Sequence, residues 1–117
     1  MNVRQLFGNL RQEAQTRSYF CRLELIAQST HLLKARLYVT ATLFVQVYRN
    51  DQYNTTNLVL LYEGQRLYAR DQLDGVWHRH PAGNPQQHDH SVEGQRAVSL
   101  AEFLTEVEII LAARDLP

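Results

Sequence analysis

A chain of 117 residues, 44% of them hydrophobic, is long enough for one core and is expected to form a single domain spanning 1–117. Twelve basic side chains balance twelve acidic ones, so no strong net field draws it to nucleic acid or to an anionic membrane. The single cysteine, Cys21, excludes an intramolecular disulfide, and no apolar run approaches 18 residues, so a disulfide scaffold and a membrane helix are both unexpected.

Val3, Leu6, Phe7 and Leu10 recur at helical spacing, which predicts an amphipathic helix over about 2–15. Arg4 and Arg11 stand where a signal peptide would carry an apolar segment, so the expected compartment is the cytoplasm, with no membrane partner. The period then changes to two. Cys21, Leu23, Leu25 and Ala27 alternate with polar or larger neighbours, as do Leu33, Ala35, Leu37 and Val39, and then Leu43, Val45 and Val47. Each run predicts a strand with one buried face, and Cys21 is expected to be a small buried or half-buried residue. The short connections at 28–31 and 40–42 predict antiparallel neighbours, and His31 in the first of them is expected to be structural.

A polar loop at 49–56 leads into a β-rich run from Asn57 to Tyr62. Glu63-Gly64-Gln65 supplies turn chemistry, and the chain returns as a strand from Arg66 to Asp71. Asp74-Gly75 marks another turn before a short strand from Val76 to about His80, where Trp77 is expected to anchor the sheet to the core. Pro81, Gly83, Pro85 and Gly94 punctuate a polar loop. Ser99-Leu-Ala-Glu102 has capping-box spacing and opens a helix from about Leu100 to Ala113, with Pro117 beyond its end. The fold class is therefore α+β: an antiparallel sheet of five or six strands with an N-terminal and a C-terminal helix.

Chemical capacity is concentrated between Trp77 and His90. Four of the five histidines lie there, as His78-Arg-His80 and His88-Asp-His90. On an extended chain, residues i and i+2 point the same way, so each pair can present two imidazoles to one side. Three readings compete. Two histidines could act as general acid and base on a phosphodiester, with Arg66, Arg70 or Arg79 neutralising the phosphate; this chemistry needs no cofactor. The histidine pairs and an aspartate could bind a transition metal, although no strict zinc spacing is present. Or the histidines lie on a solvated loop and a strand edge. Arginine supplies nearly all the positive charge, Lys34 being the one lysine; this suits phosphate contacts, and it is also common in arginine-rich proteomes. Tyr48, Tyr53, Tyr62 and Tyr68 could stack on bases, but rings on a half-buried sheet face are the commoner cause of such a pattern.

Arg70-Asp71, then Trp77-His78-Arg79-His80-Pro81, Pro85 and His88, followed by Ser99-Leu-Ala-Glu-Phe103, resembles the TumE-like family, small toxins of type II toxin–antitoxin pairs. The family's Arg-Tyr-Asp-Asn and Pro-His-His elements appear here only as Arg70-Asp71 and the later histidines, and Gln72 stands where an asparagine is usual. The resemblance implies a growth-inhibiting ribonuclease. It would place proton handling on His78, His80 and His88, orientation on Asp71, and substrate contacts on Arg70, with Arg66 and Arg79 nearby. It implies an antitoxin protein and an RNA substrate as partners and leaves room for a homodimer. The competing class is a noncatalytic protein-interaction module.

Overall fold

The computed structural model describes residues 1–84, 86, 89 and 91–116. The expectations that fall on Pro85, His88, His90 and Pro117 lie outside the described residues. The first helix, α1 (Val3–Thr16), starts where Asn2 accepts a hydrogen bond from the Gln5 amide. Asp51 reaches in from the sheet to accept from the Val3 amide at 3.0 Å, placing a carboxylate at the positive end of the helix. Six strands follow: β1 (Arg22–Gln28), β2 (Leu32–Tyr38), β3 (Leu43–Asn50), β4 (Thr55–Tyr62), β5 (Gln65–Leu73) and β6 (Val76–His80). A second helix, α2 (Leu100–Ala113), closes the chain. The fold is α+β.

The strands form one antiparallel sheet in sequential order, each paired with the next. Two of the connections are two-residue turns, Glu63-Gly64 and Asp74-Gly75. All four residues have positive φ, the conformation such turns require and the reason each ends in glycine. The Asp74-Gly75 turn matters most for function because it fixes the β5–β6 register.

Alternation divides the sheet into two faces. One carries Leu33, Ala35 and Leu37, then Leu43, Val45 and Val47, then Leu58 and Leu60, Tyr68 and Trp77. These pack with Leu6 and Leu10 of α1 and with Phe103, Leu104 and Val107 of α2 in one core. Burying each such leucine or phenylalanine contributes roughly 1.5–3 kcal/mol. Both helices therefore lie on this face. The other face is left uncovered by either helix. Ser99 and Glu102 form the expected capping box at the start of α2. No helix among the described residues is long and apolar enough to cross a membrane.

The edge strand departs from the sequence expectation. Leu25, expected on the buried face, is 45% exposed, and the pairing shifts register between Leu25 and Ala27; Ile26, on the outward-facing alternate positions, is 42% exposed as its pattern predicts. An irregular edge of this kind discourages further strands from adding to it. Cys21 is exposed, not half-buried, because it precedes β1 and is not under α1. Tyr68 is buried and stacked on Phe103 with centroids 5.7 Å apart, whereas Tyr53 is largely exposed. Trp77 joins the core.

Candidate functional site

The site sits on the β5–β6 hairpin, on the face away from the helices. In register, Asp71 lies opposite His78, and Ala69 lies opposite His80. The period-two pleat points 78 and 80 to the same side, and the cross-strand pairing brings Asp71 to meet them. His80 Nε2 is 3.1 Å and His78 Nε2 is 3.6 Å from the same oxygen, Asp71 Oδ2. The two rings meet edge to face with centroids 5.3 Å apart. All three side chains are buried.

Asn57 on β4 completes the carboxylate's surroundings by donating from Nδ2 to Asp71 Oδ1. Burial pushes the Asp71 carboxyl above the ordinary carboxylate value, against the opposing pull of His80, His78 and Arg66. A raised carboxyl beside two imidazoles is an arrangement found at acid–base sites and at structural ion-pair networks alike.

Arg66 joins this side of the sheet through an irregularity. Between β4 and β5 the pairing shifts, so that Leu60 faces Tyr68 while Leu61 faces Arg66. That shift turns Arg66 onto the face carrying Asp71. Its Nε is buried and has no hydrogen-bond partner among the described residues.

Arg70 and Arg79 are placed elsewhere. They pair with each other across β5 and β6 on the helix-covered face. Arg70 is fully buried, and all three of its nitrogens are engaged. Nε donates to the Tyr68 hydroxyl and to Glu106, Nη1 to the carbonyl of Glu93, and Nη2 to Glu106 at 2.7 Å and to Glu93. The phosphate-binding role expected for Arg70 has no donor left to serve it, and the sheet separates it from the histidines. Arg79 forms a paired contact with Asp89 through Nε and Nη2. Of the residues expected at the site, Asp71, His78 and His80 come together with Arg66 beside them, Arg70 and Arg79 do not, and His88 is outside the described residues.

Asn57 and Glu106 were missed in the sequence. Asn57 is the last polar residue before the apolar run of β4, and its place on the face opposite Leu58 is the one signal that could have singled it out. Glu106 lies on α2 beside an apolar stripe, with nothing local to mark it as the counter-ion of a residue on β5.

Asp71, His78 and His80 also form a group that could hold a metal ion, one ligand atom from each lying within 4.8 Å of the others. Donors bound to one ion at about 2.0–2.2 Å sit roughly 3–3.5 Å apart, near the 3.1 and 3.6 Å by which the two imidazoles stand from Asp71 Oδ2. Two imidazoles and a carboxylate suit zinc, iron or manganese. No family model, curated protein or solved structure matches this chain.

Proposed function

We propose that the protein is a metal-independent ribonuclease of the toxin kind, related to the TumE-like toxins of toxin–antitoxin pairs, with its chemistry at Asp71, His78 and His80. The observation that carries this reading is the meeting of two imidazoles at one buried carboxylate, with an arginine beside them that has an unused buried donor.

Each group has a role suited to its position. One imidazole takes the proton from a ribose 2′-hydroxyl as that oxygen attacks the neighbouring phosphorus. The other gives a proton to the departing 5′-oxygen, leaving a 2′,3′-cyclic phosphate and a free 5′-hydroxyl. Asp71 holds the His80 ring through Nε2 at 3.1 Å and, with His78 Nε2 at 3.6 Å, balances the charge of whichever ring is protonated. Arg66 neutralises the phosphate, whose negative charge grows in the transition state. Arg70 serves the fold in this scheme.

The test is cleavage of a labelled single-stranded RNA by purified protein in the presence of EDTA. Cyclic phosphate ends are expected, and cleavage should be lost in His80→Gln. Intact RNA under all conditions would remove the ribonuclease reading. Growth arrest on expression, relieved by co-expressing the adjacent reading frame, would support the toxin role.

A second reading is a transition-metal centre on the same three residues, motivated by their donor atoms lying within 4.8 Å of one another. Cleavage abolished by EDTA and restored by zinc or manganese, with one metal per chain by elemental analysis, would favour it over metal-free acid–base chemistry.

A further inference from the structure

The uncovered sheet face carries a second pattern, running at right angles to the strands and ending beside the Asp71 cluster. Following the pairings from edge to interior, Arg22 on β1 faces Tyr38, Tyr38 faces Phe44, Phe44 faces Leu61, and Leu61 faces Arg66. Five strands thus contribute one residue each to a single row. At about 4.8 Å per strand the row spans roughly 19 Å.

Its members touch. The Arg22 guanidinium lies over the Tyr38 ring at 4.3 Å, and the Tyr38 and Phe44 rings are 5.0 Å apart. Arg36, one row away, lies over Phe44 at 4.8 Å. Arg36 is held in place by Gln46 and the Tyr38 hydroxyl, and that hydroxyl in turn donates to Glu24. Three arginines and Lys34 therefore face outward on this side, against the carboxylates of Glu24 and Asp71. Arg22 is exposed, Tyr38 is buried beneath it, and Phe44, Leu61, Arg36 and Arg66 are half-buried, so the accessible surface of the row is the Arg22 guanidinium and the Phe44, Leu61 and Arg66 side chains.

We infer that this row is a track for single-stranded RNA, laid across the strands so that a phosphodiester arrives at Arg66 beside His78 and His80; the inference rests on the nucleic-acid reading of that site. Flat guanidinium and aromatic surfaces stack on bases without regard to sequence, and interleaved cations follow the backbone. A duplex cannot use the rings, because its bases are already stacked. The net charge of zero does not oppose this, since four cationic side chains stand against two carboxylates on this face.

The test is binding, separated from cleavage. A fluorescein-labelled 12-nucleotide RNA carrying 2′-O-methyl groups lacks the attacking hydroxyl and serves as an uncleavable probe for wild-type protein. Anisotropy should show binding to this strand and much weaker binding to the same sequence as duplex. Phe44→Ala should weaken binding roughly five- to a hundredfold. Arg22→Gln, at an exposed position that cannot affect folding greatly, should lower the slope of log affinity against log salt by about 0.7. Arg4→Gln on α1 is the control and should change neither. Unchanged affinity and slope in both row variants, or equal binding of duplex, would overturn the track. Should the wild type bind the probe yet cleave no unmodified RNA, the track stands and the ribonuclease reading falls. Should it cleave RNA while Phe44→Ala and Arg22→Gln leave KM unchanged, the reading stands and the track falls.

Discussion

Arg70 and Asp71 are neighbours on β5, both buried and both charged in isolation, yet the pleat sends them to opposite faces. Arg70 enters the space between sheet and helices, where Glu106 and Glu93 supply carboxylates and carbonyl oxygens fill its remaining donors. Its charge is matched, and the bonds to Glu106 raise an affinity for its proton that burial alone would lower. Asp71 turns to the uncovered face and meets imidazoles, which are neutral or charged according to their own proton. Burial raises its pKa where Arg70's surroundings lock one charge state in. A buried charge beside a permanent counter-ion holds the architecture; one beside titratable partners can move protons.

The sharpest way to break this contrast is to remove each centre and watch both stability and chemistry. His80→Gln keeps a hydrogen-bond donor near Asp71 but cannot shuttle a proton, and should cost about 10²–10⁴-fold in RNA cleavage, typical of a lost general acid or base. Its melting temperature should move by only a few degrees. Arg70→Met should do the reverse. Glu106 is left without its partner, at a cost of roughly 3 kcal/mol, and the melting temperature should fall by about 10 °C or more. Cleavage per folded molecule should hold. A double substitution with Glu106→Gln should recover part of the loss. If Arg70→Met abolishes cleavage while the protein stays folded, the division between the two faces is wrong.

The two faces also differ in how much of them the sequence carries. Period two in β2 and β3, the Gly64 and Gly75 turns and the Ser99–Glu102 spacing are local signals, and each survives in the structure because nothing at long range competes with it. The convergence of His78 and His80 was visible for the same reason, being a strand period. The same period of two separates Arg70 from Asp71, and the grouping of Arg70 with the histidines neglected it; what no local pattern encodes is its partner, 36 residues away on α2. Arg66 reaches Asp71's face only through the register shift opposite Leu60 and Leu61, and a shift changes parity without leaving a mark in composition. The exposure of Leu25 likewise goes with the register shift beside it on the edge strand, not with its place in the alternating pattern.

A milder perturbation sharpens the architectural half of the comparison. Ser99 accepts from the Glu102 amide, and Glu102 accepts from the Ser99 amide, so the first turn of α2 is tied at both ends. That helix carries Glu106 to Arg70. Ser99→Ala should lower stability by about 1 kcal/mol, measured by urea unfolding, and leave cleavage and RNA affinity as they were. A cleavage defect here would mean that α2 position is transmitted through the sheet to Asp71.

The finest distinction is in pH, where two aspartates should behave oppositely. The Ser91 backbone and hydroxyl, then Arg79, hold Asp89 down to about 2 from an ordinary 3.8. A carboxylate lowered on folding stabilises the native state above its unfolded value, and that contribution is lost as pH falls from about 4 to 2. Asp89→Asn should therefore be less stable than wild type near neutrality and converge on it by about pH 2. Asp71 is raised, so its ionisation works against the fold as pH climbs from 3.8 through its elevated value. Asp71→Asn cannot ionise and should gain on wild type over that climb. Melting temperatures of the three proteins across acid to neutral pH give two difference curves. The Asp89 variant loses ground to wild type as pH rises, and the Asp71 variant gains it. Curves of the same sign would mean that Asp71 is held as a fixed anion like any ion-paired carboxylate, and the proton-sharing role assigned to it would have no physical basis.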